Sequence, residues 1–234
     1  ERENFKILKS VLNTPAKFKE VSHEKKACFS YAYKQYGEFE TWDIAMNILG
    51  GIPPNNRLCN ELILENTPVK PYLDIEWLKS KYPELDCDEL KLDIKNGLKT
   101  IFKDEWGVKL NTRDILFASC HRKYNDTFKF SFHVIVNSNP QIIFENTNCA
   151  SIIASKLRGL KEFSSHPDII DIGVYSKTQN FRIVGHCKQG EFESPFKIEN
   201  EGVPVLDYLV TNIDYINENF TILEIEEQTD TTHK

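Results

Sequence analysis

The segment VKPYLDIEW at positions 69–77 places two carboxylates inside an apolar run, with one residue between them. The apolar alternation around them predicts a β-strand. Because side chains alternate along a strand, Asp74 and Glu76 share one face, with Cα atoms about 6–7 Å apart. Two like charges side by side are costly to desolvate unless a cation lies between them, and oxygen ligands favour Mg²⁺ or Mn²⁺. Taken alone, the pair is also explained by an edge strand with a solvated acidic face.

A second strand-like segment, FKFSFHVIV at positions 128–136, carries polar residues at alternate positions. Lys129, Ser131 and His133 share one face, because each is two residues from the next. A cation, a hydroxyl and an imidazole on one face suit a polyanion such as a triphosphate. The alternative for this strand is a two-sided strand in which His133 is hydrogen-bonded in the core.

A third segment, DIIDIGVYSKTQNFRIVGHCK at positions 168–188, places an acid after an apolar pair. Asp171 ends that pair, a polar turn follows, and a short strand then carries Arg182, with Lys188 just beyond. An isolated Asp171 would be typical of a turn or a helix cap. The succession of a carboxylate pair, a Ser-x-His strand, and an acid followed by Arg and Lys is much harder to obtain by chance.

These segments resemble the three motifs of the archaeo-eukaryotic primase superfamily: Asp-x-Asp/Glu, Ser-x-His, and a hydrophobic pair ending in Asp. The likeness is strongest to eukaryotic PrimPol and to the primase domains of poxvirus-type and giant-virus primase–helicases. It is carried by NELILENTPVKPYLDIEW at 60–77 and DIGVYSKTQNFRIVGHCK at 171–188. The resemblance spans about residues 59–190 and is much weaker on either side.

The resemblance implies a nucleotidyltransferase: a DNA primase or primase-polymerase core that transfers nucleotides from NTPs or dNTPs to a 3′-hydroxyl on single-stranded DNA. It implies that Asp74, Glu76 and Asp171 are catalytic and hold two Mg²⁺ or Mn²⁺ ions. It assigns the incoming nucleotide to Lys129, Ser131, His133, Asn180, Arg182 and Lys188. PrimPol has arginine where this chain has Gln179, so one phosphate contact is weakened or replaced by Lys177. Such cores occur with a replicative helicase and a zinc-binding module, and this sequence contains no counterpart of the zinc module.

The spacing of apolar residues predicts an α+β fold. The order from Val69 to Val184 reads β-α-β-β-α-β, which indicates an RRM-like or ferredoxin-like catalytic sheet. We expect an N-terminal α/β module at 1–65 packed beside it, a catalytic module at 66–223, and an acidic tail or linker at 224–234. The elements are predicted as helices at 2–12, 39–49, 86–106 and 144–160, and strands at 27–33, 59–64, 69–77, 115–119, 128–137 and 181–184.

Net charge at first argues against a nucleic-acid partner, because the chain carries −6 at pH 7. The charge is segregated, however: residues 1–36 carry +4 and residues 109–190 carry +5, against −6 for residues 37–108 and −9 for residues 191–234. Basic segments of this kind can face a phosphate backbone, so a single-stranded DNA template bound weakly is expected. Basic pairs at Lys25–Lys26 and Arg122–Lys123 are candidate template contacts. No apolar run approaches the ~20 residues of a membrane helix.

The six cysteines form no C-x-x-C pair, which argues against a zinc site or a disulfide framework. Reduced thiols in an intracellular compartment, nuclear or at a cytoplasmic and viral replication site, are therefore expected.

Two other functions remain open at the sequence level. An RRM-like nucleic-acid-binding module without catalysis would stack bases on exposed sheet aromatics. Phe128, Phe130 and Phe132 lie opposite the charged face, however, and are predicted to be core residues. A metal-dependent nuclease would also use clustered carboxylates. It has no need of the Lys, Ser and His strand that a triphosphate explains.

Overall fold

A computed structural model describes residues 27–32, 35–191 and 193–225, and within these ranges the chain is α+β. The helices of eight or more residues are α1 (Trp42–Leu49), α2 (Cys87–Trp106) and α3 (Thr147–Arg158). The strands are β1 (Ala27–Tyr31), β2 (Gln35–Phe39), β3 (Cys59–Ile63), β4 (Tyr72–Leu78), β5 (Ile115–Ser119), β6 (Arg122–Tyr124), β7 (Thr127–Val136), β8 (Gln141–Ile143), β9 (Ile170–Asp171), β10 (Gln179–Arg182), β11 (Lys197–Ile198) and β12 (Phe220–Ile222). The predicted helix at 2–12 and the Lys25–Lys26 pair lie outside the described residues. None of the described helices is long and apolar enough to cross a membrane.

The larger sheet has the strand order β11-β5-β7-β4-β9, with β6 paired to β7. All of its strand pairs are antiparallel. If the short strands β6 and β8 are left aside, the elements β4, α2, β5, β7, α3 and β9 have the order β-α-β-β-α-β, and the first five of them match the predicted elements. The predicted sixth element was wrong, because the strand near 181–184 belongs to another sheet and β9 takes its place. A strand of two residues has no periodicity from which it could be predicted.

The smaller sheet has the order β10-β3-β1-β2 and is antiparallel throughout. β10 comes late in the chain and pairs with β3, with Phe181 opposite Glu61. Glu61 is fully buried, and its carboxylate accepts hydrogen bonds from Val210 N, Thr211 N and Thr211 Oγ1. Segments from late in the chain thus add the fourth strand of this sheet, and they donate hydrogen bonds to a buried side chain of β3.

Helices α2 and α3 cover the face of the larger sheet that carries its apolar residues. Asp86 begins α2 by accepting hydrogen bonds from Asp88 N and Glu89 N, and Gly107 ends it in the left-handed region at φ 66°. Leu98 and Ile153, one from each helix, pack with the inward side chains of β4 and β7. The opposite face, which carries Asp74 and Glu76, is left to the smaller sheet and to solvent.

One end of the β7 segment differs from expectation. Phe132 is fully buried and Phe130 stacks on Trp77 with ring centroids 4.7 Å apart, but Phe128 is 40% exposed. A core position for Phe128 was therefore wrong, because the strand runs on past the apolar core at this end. Glu224, the first residue of the predicted tail, contacts α2, since Trp106 Nε1 donates to its carbonyl at 2.8 Å.

Candidate functional site

The register of the larger sheet aligns the three predicted carboxylates. β4 runs antiparallel to β7 on one side and to β9 on the other, so that Asp74 lies opposite both His133 and Asp171. Glu76 lies opposite Ser131. Directly paired residues in antiparallel strands have Cβ atoms about 4.5–5.5 Å apart. Residues from all three sequence segments are therefore neighbours on one face.

The charged form of Asp74 is disfavoured by its surroundings. Burial raises the pKa of Asp74 to about 7, and the carboxylates of Glu76 and Asp171 contribute to this rise, while Arg182 and Lys129 act in the opposite direction. The buried Oδ1 of Asp74 has no hydrogen-bond partner among the described residues. A buried acceptor left without a donor costs about 1–3 kcal/mol. Both features are typical of a carboxylate arranged to meet a cation or a proton.

The other two carboxylates have local partners. Glu76 Oε2 lies 2.6 Å from Lys129 Nζ, and Asp171 Oδ1 accepts a hydrogen bond from Gly173 N at 2.7 Å. A Cβ atom added to Gly173 would lie 3.0 Å from that same Asp171 oxygen, so glycine permits this approach. As the side chains stand, no three His, Cys, Asp or Glu groups within 27–32, 35–191 and 193–225 are arranged to hold one metal ion.

The donor set nevertheless fits a hard divalent cation. The oxygens of Asp74, Glu76 and Asp171 are the ligand type that Mg²⁺ and Mn²⁺ prefer. The unpartnered Oδ1 of Asp74 is an acceptor that a cation would satisfy. Glu76 is a second carboxylate on this face, and Lys129 engages its Oε2. The residues thus fit such an ion in chemistry, with a change of side-chain position required for full coordination.

The short strand that carries Asp171 is fixed by a residue outside the three motifs. Arg158, in the last turn of α3, donates from Nε and Nη2 to the carbonyl of Ile170, at 3.1 Å and 2.5 Å. Tyr175 adds a bond from its hydroxyl to the carbonyl of Tyr72 in β4, at 2.5 Å. The bonds from Arg158 hold β9, which has only two ladder residues, and the bond from Tyr175 holds the turn after β9 against β4.

His133 is clamped between two aromatic rings. The centroids of Phe181 and Phe196 each lie 3.8 Å from the centroid of the imidazole, in stacked geometry. Burial, with Arg182 nearby, holds the pKa of His133 well below its usual value. The side chain is therefore a neutral hydrogen-bonding group at physiological pH, and its edge rather than its face is left to meet a ligand. Ser131, two residues away, is also buried.

The remaining predicted nucleotide ligands divide into two groups. Arg182, in β10, stacks over Phe196 with Cζ 5.4 Å from the ring centroid, and its buried Nε has no hydrogen-bond partner in the described part of the chain. Asn180 is on the same face of β10, is exposed, and accepts a hydrogen bond from Ser30 Oγ. Lys188 lies beyond the strand and is exposed. Arg182 is close enough to Asp74 and His133 to influence the pKa of each, whereas Asn180 and Lys188 are exposed to solvent.

The two residues considered in place of the PrimPol arginine are bound to other groups. Gln179, where PrimPol has arginine, donates to Ser176 Oγ, and Lys177 lies 3.1 Å from Glu65 in an exposed ion pair. Lys129 is held by Glu76 at the Leu78 end of the sheet, away from the His133 end. The assignment of these residues to a triphosphate stays a prediction.

Sequence reasoning missed Phe196 and Arg158, which shape the site without belonging to a motif. Phe196 is 63 residues from the histidine that it clamps, and nothing in its neighbourhood marks it. Arg158 could have been noticed as a basic residue in the last turn of a predicted helix, where such residues are usually explained by the helix dipole.

Comparison with known proteins gives a distant viral relationship. No family model matches the chain. A protein of Acanthamoeba polyphaga mimivirus, described as "Uncharacterized putative helicase R8", is 25% identical to it over 150 residues. The match covers 57% of this chain and 14% of the mimivirus protein. The chain therefore spans a small part of the length of the relative that it matches.

Proposed function

We propose that this chain is the catalytic core of a DNA primase or primase-polymerase with an archaeo-eukaryotic primase fold. The observation that carries the proposal is the antiparallel register in which Asp74 faces Asp171 on one side and His133 on the other. Three motif segments that are far apart in the sequence thereby supply one face with carboxylates and with groups suited to phosphate. The motif resemblance, read from sequence alone, anticipates this combination.

The reaction is template-directed transfer of a nucleotidyl group to a 3′-hydroxyl. The hydroxyl oxygen bonds to the α-phosphorus, the bond from that phosphorus to the β-bridging oxygen breaks, and pyrophosphate leaves with the electron pair. The hydroxyl proton passes to solvent. Because the two oxygens must lie in line through phosphorus, catalysis depends on holding both reactants and on offsetting negative charge.

Asp74, Glu76 and Asp171 would hold the divalent ions of this reaction. When bound, Mg²⁺ or Mn²⁺ lowers the pKa of the attacking hydroxyl and neutralises charge on the leaving pyrophosphate. The raised pKa of Asp74 and its unpartnered Oδ1 support this role, because both describe a carboxylate whose charge lacks compensation. Lys129 would release Glu76 as the ions bind.

The incoming nucleotide would lie at the His133 end of the site. Arg182 offers a permanent positive charge, fixed by its contact with Phe196. His133, neutral and clamped, would donate or accept a single directed hydrogen bond rather than contribute charge. Ser131, Asn180 and Lys188 complete the proposed set at this end. Lys129, which the resemblance also assigns to the nucleotide, lies at the Leu78 end beside Glu76.

The mimivirus relative extends the proposal to the parent protein. Because that protein is described as an uncharacterized putative helicase and is far longer than this chain, we propose that the core acts in viral or virus-like DNA replication beside a helicase, fused or associated. Its partners would be a single-stranded DNA template and nucleotides. The six free cysteines fit a reducing compartment inside a cell.

Incorporation of labelled nucleotide tests the proposal and separates it from the two alternatives. The chain is incubated with primed and unprimed single-stranded templates, with Mg²⁺ or Mn²⁺, and with NTPs or dNTPs. We expect template-dependent extension that Asp74→Asn abolishes and the surface control Asp104→Asn leaves intact. Degradation of the template without incorporation would instead identify a nuclease, and binding with neither reaction would identify a non-catalytic module.

A further inference from the structure

A cavity of about 410 Å³ opens beside the carboxylates, at the end of β4 away from His133. Its volume lies within the range of about 300–1,000 Å³ typical of small-molecule sites. Glu76 and Asp171 form the wall that it shares with the candidate active site. Lys129 of the second motif also lines the cavity, where it is paired with Glu76. Much of the remaining lining is basic or aromatic, and includes Lys81, Tyr82, Tyr124 and Arg158. None of these four residues belongs to the three motifs.

Of the two basic cavity residues outside the motifs, Lys81 is paired with a carboxylate and Arg158 is not. Lys81 lies 2.5 Å from Asp168, which also accepts a hydrogen bond from the Tyr82 hydroxyl. Arg158 is bonded to a backbone carbonyl, and no carboxylate in the described ranges pairs with its guanidinium. The cavity thus holds a half-buried arginine charge that an anionic group could use, next to aromatic rings that a base could use.

Its position relative to the proposed nucleotide site is the deciding feature. Arg182 and His133 lie at the Asp74 end, close to Phe196 and Phe181. The cavity lies beyond Glu76, at the Leu78 end. In an in-line displacement the attacking oxygen approaches the phosphorus opposite to the leaving pyrophosphate. A triphosphate held at one end of the carboxylate row therefore requires its acceptor at the other end.

We infer that this cavity is the acceptor site: it binds the nucleotide that carries the attacking 3′-hydroxyl. This inference rests on the proposed function. The hydroxyl points to Glu76 and Asp171, the phosphate of the same nucleotide lies toward Arg158 and Lys81, and the base stacks on Tyr124 or Tyr82. The same chemistry accommodates the 3′ end of a growing strand or the first nucleotide of a new one.

Photocrosslinking tests the site without requiring turnover. A primer ending in 3′-terminal 4-thiothymidine is annealed to template and irradiated with the chain in Ca²⁺, which replaces the catalytic ion. Trypsin cuts after Lys81 and Lys123, so the cavity tyrosines begin the peptides 82–91 and 124–129. We expect the crosslinks in these two peptides, and loss of the second in Tyr124→Leu. Tyr215→Leu, at a half-buried tyrosine elsewhere, is the matched control and should change neither.

Steady-state extension gives the second readout. Lys81→Gln and Tyr124→Leu should raise KM for the primer at least about fivefold and leave KM for the nucleotide within about twofold, because stacking and phosphate contacts act on the acceptor alone. Arg182→Gln should show the reverse pattern. Crosslinks confined to other peptides, or none at all, overturn the acceptor site even if extension is robust. Crosslinks at 82–91 and 124–129 without any extension uphold the site and count against the proposed function instead.

Discussion

Replacement of Asp74 by asparagine should stabilise the fold while it removes activity. Burial and two neighbouring carboxylates raise the pKa of Asp74 from 3.8 to about 7. A shift of that size corresponds to about 4 kcal/mol of unfavourable free energy for the charged form. Solvent at this half-buried side chain reduces the effect, so that we expect a gain of about 1–3 kcal/mol at pH 8.

The gain should depend on pH in a defined direction. Between pH 3.8 and about 7 the folded chain retains the Asp74 proton that the unfolded chain has lost, so the stability of the wild type falls as pH rises through this window. The asparagine side chain of the variant cannot titrate. The difference in unfolding free energy between Asp74→Asn and wild type should therefore be near zero at about pH 4 and largest above about pH 7.

Urea unfolding in EDTA at a series of pH values between about 4 and 8 measures this difference. Asp104→Asn, at an exposed helical carboxylate, is the matched control and should show no such trend. Millimolar Mg²⁺ should then stabilise the wild type more than Asp74→Asn, by about 2.7 kcal/mol if the ion is present at about a hundred times its dissociation constant. Equal stability of Asp74→Asn and Asp104→Asn at pH 8, or a difference that does not grow with pH, would refute the electrostatic reasoning.

Further perturbations address the parts of the site separately. His133→Ala should weaken nucleotide binding by more than template binding, as measured by fluorescence titration with each ligand; equal losses would count against its contact with phosphate. Gly173→Ala should displace Asp171 and lower kcat on the order of tenfold or more with little change in Tm, since reaction rates respond steeply to small misplacements. Burial lowers the pKa of His186 to about 3, so its contribution to stability is full above about pH 6.5 and declines below it, by at most about 1.4 kcal/mol per pH unit. Urea unfolding between about pH 7 and 4 should show that decline in the wild type and a smaller one in His186→Asn. Single-stranded DNA binding should weaken with salt, each phosphate contact adding about −0.7 to the log–log slope; binding unaffected by salt would exclude backbone contacts as its basis.

Local alternation was enough to predict the strands that carry the first two motifs. In β4 and β7 each polar side chain of the motifs has apolar neighbours on both sides, so the period of two determines which residues share a face. The caps of α2 were also readable, because Asp86 and Gly107 are residue types with a direct conformational cause. These features depend on a few adjacent residues.

Features that depend on distant pairing could not be predicted in the same way. β10 looks like the last strand of the larger sheet, yet it pairs with β3, and only the register between remote segments distinguishes the two outcomes. β9 is a strand because Arg158 and β4 hold it, not because of its own two residues. The stacking of Phe196 on His133 likewise joins remote segments, so no local sequence pattern predicts it.

Two acids in the same fold illustrate how structure and function use burial differently. Glu61 is fully buried, and three donors from Val210 and Thr211 satisfy its carboxylate, so its role is fully explained by the joining of two segments. Asp74 is less enclosed but has an oxygen with no donor among the described residues and two like charges beside it. In folded proteins the large majority of buried polar side-chain atoms have a hydrogen-bond partner. The lack of a donor to Asp74 Oδ1 among the described residues supports the proposed cation site, because a bound cation would satisfy that oxygen.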